Sequence, residues 1–182
     1  MSKTFAPGLL DVAAFAQAKA SLSAHDSIQK YERLAQELRA PEADLTIDWQ
    51  ADGEQRSAVD GSRRPALHLR AQATLPLTCQ RCMGEVRVPL AVDRHFVFVP
   101  DEDTAAALDE ASDDDVLALA PDFDLRALID DALLMALPLV PRHEQCPDAV
   151  QLSVQSADFD AAQEEKTNPF AALAALKHDK PN

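Results

Sequence analysis

Apolar and polar positions recur with two different periods along this chain, and the changes of period mark out its elements. From Met1 to Ala40 the spacing is helical. Val12, Phe15 and Ala16 share one face, and a second run beginning at Asp26 or Ser27 sets Ile28, Tyr31, Leu34 and Leu38 at intervals of a helical turn. Between these runs, Leu22 to His25 also fits a short strand, and periodicity alone does not separate the two readings.

From Leu45 the period drops to two. Leu45, Ile47 and Trp49 alternate with Thr46, Asp48 and Gln50, and Gly53 is expected to break the run in a polar turn. After a second break at Gly61, Leu67, Leu69, Ala71, Ala73 and Leu75 alternate with His68, Arg70, Gln72 and Thr74. Val86, Val88, Leu90 and Val92 resume the pattern and lead into the denser run from His95 to Val99. An antiparallel meander follows from this, with one buried face and one wet face that carries arginines.

The stretch from Asp101 to Asp115 has few large apolar groups and many like charges, so it is expected to be a mobile loop. A helix is predicted after it. Leu125, Leu128, Ile129, Ala132, Leu133 and Ala136 form one stripe, Asp122 or Asp124 can cap its start, and Pro138 stops it. Leu137 to Pro141 then reads as an extended strap. Beyond Pro147 the chain is polar and acidic until a short amphipathic helix, starting near Asn168 before Pro169, with Leu173 and Leu176 on one face. The predicted fold class is α+β: an antiparallel sheet of about five strands with flanking helices in residues 1–147, and a loosely attached C-terminal segment in residues 148–182.

Length and charge narrow the class further. A chain of 182 residues can bury a full core without disulfides. Three cysteines are an odd number, and with no signal-like start or membrane-length apolar run the expectation is a soluble, reduced, cytoplasmic protein. The net charge of -14 argues against delocalised binding to a polyanion, which draws on basic surface. That average conceals an asymmetry. Arginines outnumber acids between Arg56 and Arg94, whereas Asp101 to Leu125 holds no Lys or Arg. Arg64, Arg70, Arg81 and Arg87 are therefore candidate RNA-contacting residues, since the guanidinium suits bidentate phosphate contact. A solvated sheet face is the plainer reading of each one alone. His68 and His95 read as ordinary strand residues.

The chemistry concentrates between Leu75 and Leu90, where Cys79 and Cys82 stand two residues apart. A C-x-x-C pair brings two thiolates to one side of a tight turn, as a tetrahedral metal or a dithiol couple requires. The segment from His143 to Cys146 repeats the spacing with one imidazole and one thiolate. Cys79, Cys82, His143 and Cys146 together supply three sulfurs and a nitrogen, a set that holds one structural zinc ion. The alternative is a reduced turn pair with Cys146 unrelated to it. A thioredoxin-like role fits less well, because a strand rather than a helix follows the motif. No Gly-rich phosphate loop, serine nucleophile motif or defensible carboxylate pair is present.

Three blocks in order resemble the YceD family: the knuckle from Cys79 to Cys82 after an alternating strand, the helix from Asp124 to the strap at Pro141 with His143 and Cys146, and the run from Asn168 to Lys177. This chain departs from the family in having Ala132 where a glutamate is common, and in the short interval from His143 to Cys146. The resemblance implies a non-enzymatic factor in ribosome biogenesis, supporting synthesis, processing or stability of large-subunit ribosomal RNA, with that RNA or ribosomal assembly proteins as partners. Two other classes compete with it. One is a metal- or thiol-dependent enzyme, and the other is an adaptor that holds a basic ribosomal protein through its acidic stretch.

Overall fold

A computed structural model of the protein describes residues 4–40, 42, 44–58 and 61–147. The chain divides into two units, Met1–Gln145 and Cys146–Asn182. The first contains all the elements below, and the predicted C-terminal helix lies outside the described residues. Strands β1 (Ser21–Ser27), β2 (Thr46–Ser57), β3 (Arg63–Thr78), β4 (Glu85–Val99) and β5 (Asp115–Ala118) form one sheet in chain order. The first four are mutually antiparallel and β5 runs parallel to β4. Helices α1 (Val12–Gln17), α2 (Glu32–Gln36), α3 (Glu102–Asp109) and α4 (Leu125–Met135) complete the α+β architecture.

The alternation in the long strands sorts side chains as expected. Ile47, Trp49, Leu67, Leu69, Leu75 and Phe98 are buried on the sheet, under Phe15, Tyr31, Leu34, Leu125, Ile129 and Leu133 from the helices and the turn before α2. Each such side chain contributes roughly 1.5–3 kcal/mol by leaving water. His68, Arg70, Gln72 and Thr74 alternate with the buried set and remain at least partly accessible.

The first forty residues are less helical than their pattern. Helix α1 begins at Asp11, whose carboxylate accepts from the Ala14 N–H at 2.9 Å, and buries Val12, Phe15 and Ala16. Lys19 then adopts a positive φ of 48°, and Leu22 to His25 joins the sheet opposite Ala51 to Asp48. The strand reading prevails because β2 offers an open edge for hydrogen bonding, which a local helix could not satisfy.

Gly53 corrects a second expectation. It lies inside β2 rather than in a turn, and a Cβ there would stand 2.6 Å from the Phe15 carbonyl oxygen. Its lack of a side chain is what lets α1 approach the sheet. The turn falls at Gly61, where φ is 79°.

The acidic stretch is also not a loop throughout. Asp101 accepts from the Thr104 N–H at 2.8 Å and starts α3, whose Ala105 and Leu108 pack on Val99 and Val116. Acids that repel in an unfolded chain find local duties here: Asp101, Glu102 and Asp103 sit at the positive end of the helix, Asp109 accepts from the Val116 N–H, and Asp115 meets Arg94 at 2.6 Å.

Helix α4 matches its stripe, with Asp124 accepting from Arg126 and Ala127. Leu125, Ile129, Ala132 and Leu133 are buried with it. The same helix buries a charge. Asp130 accepts from the backbone N–H of Arg33 at 3.3 Å and of Leu34 at 3.0 Å, capping α2, whose own N-cap residue Tyr31 makes no side-chain cap. A second buried acid, Asp26, accepts from Trp49 Nε1 at 2.9 Å, Tyr31 Oη at 3.1 Å and Lys30 Nζ at 2.5 Å.

Candidate metal centre

Strands β3 and β4 end together at Thr78 and Glu85, so the hairpin tip is the knuckle from Cys79 to Gly84. Its backbone closes on itself. The Cys79 N–H donates to the Gly84 carbonyl at 2.8 Å, the Met83 N–H donates to the Cys79 carbonyl at 2.9 Å, and Met83 takes a positive φ of 58°. Gly84 is small for a reason: a Cβ there would lie 3.3 Å from Cys82 Sγ and 4.0 Å from His143 Cε1.

The strap after α4 is fastened to this tip from both sides. The Gln80 N–H donates to the Pro141 carbonyl at 2.8 Å, and Arg81 donates to the carbonyls of His143 and Glu144 at 3.0 and 3.2 Å. His143 reaches across to the start of β4, its Nε2 2.7 Å from the Glu85 carbonyl. A carbonyl only accepts, so Nε2 carries a proton, and in the neutral ring the lone pair is then on Nδ1. That Nδ1 lies 3.5 Å from Cys82 Sγ, against the separation of about 3.6 Å between S and N ligands of a tetrahedral zinc.

Cys79, Cys82 and His143 each offer one ligand atom within 4.8 Å of the others, and Cys146, the fourth donor that the spacing names, opens the second unit. None of the three cysteines is in a disulfide. Burial by itself would raise the Cys79 thiol, but the backbone groups of Cys82, His143 and Arg81, with the Cys82 side chain, outweigh it and lower it to about 5. The same groups favour the thiolate of Cys79, the form that binds metal. The donor set and the orientation of His143 both fit a structural zinc, with the Glu85 carbonyl in the outer position that fixes ligand histidines. Sequence spacing named the same residues as candidate donors. It missed Arg81 as a tie to the strap, and Gly84, whose position just after the motif was the one available signal.

The four arginines do not gather at one place. Arg64 lies near the start of β3 and Arg81 beyond its end, with roughly 45 Å of extended strand between Arg64 and Thr78. Arg70 is 2.6 Å from Asp52, and Arg87 is 3.0 Å from Glu42 and 3.4 Å from Glu85. Only Arg81 and Arg87 share the knuckle end of the sheet. Among the described residues no helix is long and apolar enough to cross a membrane.

Comparison with known proteins finds similarity to one family. The family model described as "Large ribosomal RNA subunit accumulation protein YceD" matches residues 67–177, which takes in the knuckle, α4 and the strap. A Haemophilus influenzae protein named large ribosomal RNA subunit accumulation protein YceD is 29% identical over 184 residues, spanning 97% of this chain and 99% of its own. No solved structure matches.

Proposed function

We propose that this chain, which belongs to the YceD family of large ribosomal RNA subunit accumulation proteins, is a non-enzymatic factor in ribosome biogenesis. In this role it supports the synthesis, processing or stability of large-subunit ribosomal RNA. The family match across residues 67–177 carries the reading. The candidate centre is compatible with it, because four protein donors leave no coordination position for an activated water. A zinc ion held there would supply structural cross-linking between hairpin tip and strap.

The test is genetic. In a strain lacking the gene, large-subunit ribosomal RNA should fall relative to small-subunit RNA and recover on re-expression. An unchanged ratio would overturn the proposal.

A second reading, an adaptor that works through protein contact, is favoured by one observation. Arg70 and Arg87 are already engaged by acids of their own chain, and that competes with phosphate. Capture of ribosomal assembly proteins that survives RNase treatment supports the adaptor, whereas loss of capture supports direct RNA contact.

A further inference from the structure

We infer that the outward face of the sheet carries a second cation site, built from Glu54 on β2, His68 on β3 and His95 on β4, that takes a divalent transition metal of the zinc and nickel class. The site is separate from the cysteine-containing centre and does not depend on the ribosomal role.

Register places these residues together. His68 and His95 are direct cross-strand partners, and their rings lie face to face with centroids 4.1 Å apart and planes 16° from parallel. Glu54 comes from the other side of β3, its Oε2 3.7 Å from His95 Nδ1. One ligand atom from each of the three lies within 4.8 Å of the other two; because imidazole lone pairs lie in the ring plane, the stacked rings share an ion once one of them turns about its Cβ–Cγ bond.

Two features distinguish this cluster from a chance meeting of polar side chains. The first is His95 Nδ1, which is shut off from solvent and has no hydrogen-bond partner. Buried ring nitrogens are ordinarily satisfied, and at 3.7 Å Glu54 is too far away to satisfy this one directly. A cation between them would engage both. The second is Asp93, whose Oδ1 lies 2.6 Å from His68 Nε2. A carboxylate on one imidazole nitrogen is the usual outer partner of a metal-binding histidine, since it fixes the ring and makes the other nitrogen more basic. Two imidazoles and one carboxylate form a borderline donor set that prefers zinc, nickel or copper to magnesium or calcium. Three protein donors leave coordination positions open to water or to a group from a partner.

The experiment uses full-length protein without a histidine tag, carrying no more than one equivalent of zinc, the amount that the four donors of the cysteine-containing centre would hold. Titration with Ni²⁺ followed by calorimetry should show one further equivalent bound. His68→Ala with His95→Ala should abolish that equivalent, Glu54→Gln should weaken it at least about tenfold, and Asp93→Asn should weaken it about 10–100-fold. Should the double variant fail to fold, nuclear magnetic resonance of the unmodified protein decides the matter. Paramagnetic Ni²⁺ should broaden the His68 and His95 ring signals before those of His25 and His143. No extra equivalent, or broadening that begins elsewhere, rules the site out.

Discussion

His143 is held by the backbone carbonyl of Glu85, 2.7 Å from its Nε2, and this turns its other nitrogen toward Cys82 Sγ at 3.5 Å. If zinc occupies the centre, His143→Ala or Cys82→Ser should release one tightly held equivalent, measurable by elemental analysis. Loss of the ion should also lower Tm by roughly 10 °C or more, because structural zinc contributes on the order of 10 kcal/mol to folding in small domains. Affinity should fall on acidification as thiolates and imidazole take up protons. Less than a tenth of an equivalent in the purified protein (on the scale of trace contamination, about one ion per ten sites against the single ion that four donors hold), with no effect of chelator on Tm, would eliminate the metal.

Asp130 links two helices by accepting from α2 while lying on α4. Asp130→Ala removes a cap and strands two N–H groups, and should cost about 1–3 kcal/mol in urea unfolding. The neighbouring ion pair of Arg33 with Asp131 is exposed, so Asp131→Ala should cost no more than about 1 kcal/mol. Equal losses in the two variants would contradict the capping role.

Asp26 gives the core an acid limit. Burial would push its carboxyl up, but hydrogen bonds from Lys30, Trp49 and Tyr31 outweigh that and hold it below the ordinary carboxylate value. A carboxyl lowered in the folded state stabilises fully above its unfolded value of about 3.9, and the stabilisation fades as pH falls through the folded value. Stability measured downward from about pH 4 should therefore drop more steeply for the natural chain than for Asp26→Asn. Parallel curves would show that Asp26 contributes nothing to acid sensitivity.

Gly53→Ala drives a methyl against the backbone of Phe15, where a Cβ would meet the carbonyl oxygen at 2.6 Å. Rigid backbone cannot yield as a side-chain tip can, so a loss of about 1–3 kcal/mol is expected. The control is Gly61→Asn: nothing lies within 4 Å there, and Asn tolerates positive φ. Matching Tm values for the Gly53→Ala and natural proteins would refute the packing argument.

If RNA contact is direct, replacing Arg64, Arg70, Arg81 and Arg87 by Gln should flatten the salt dependence of binding. Each lost phosphate contact reduces the log–log slope by roughly 0.7–0.9. Because the knuckle end holds Arg81 and Arg87, that pair should account for the effect if the RNA sits there. A slope unchanged by all four replacements dismisses these arginines.

The sequence by itself determined the alternation of the long strands and the stripe of α4, and it named the four candidate donors of the cysteine-containing set. In each case a repeating spacing reports directly on geometry: period two for a strand with one face in the core, a helical turn for α4, and two-residue spacing for ligands on one knuckle. Tertiary structure decided the rest, because the partners are far apart in the chain. Leu22 to His25 became a strand only because β2 was there to pair with it. Gly53 is explained by Phe15, and the acidic stretch became a helix once Val99 and Val116 gave Ala105 and Leu108 a surface to cover. His68 and His95 looked ordinary in sequence, since nothing local shows that register will stack one on the other beside Glu54. Local spacing encodes which face a residue occupies, but only the packed chain fixes which distant residue it meets there.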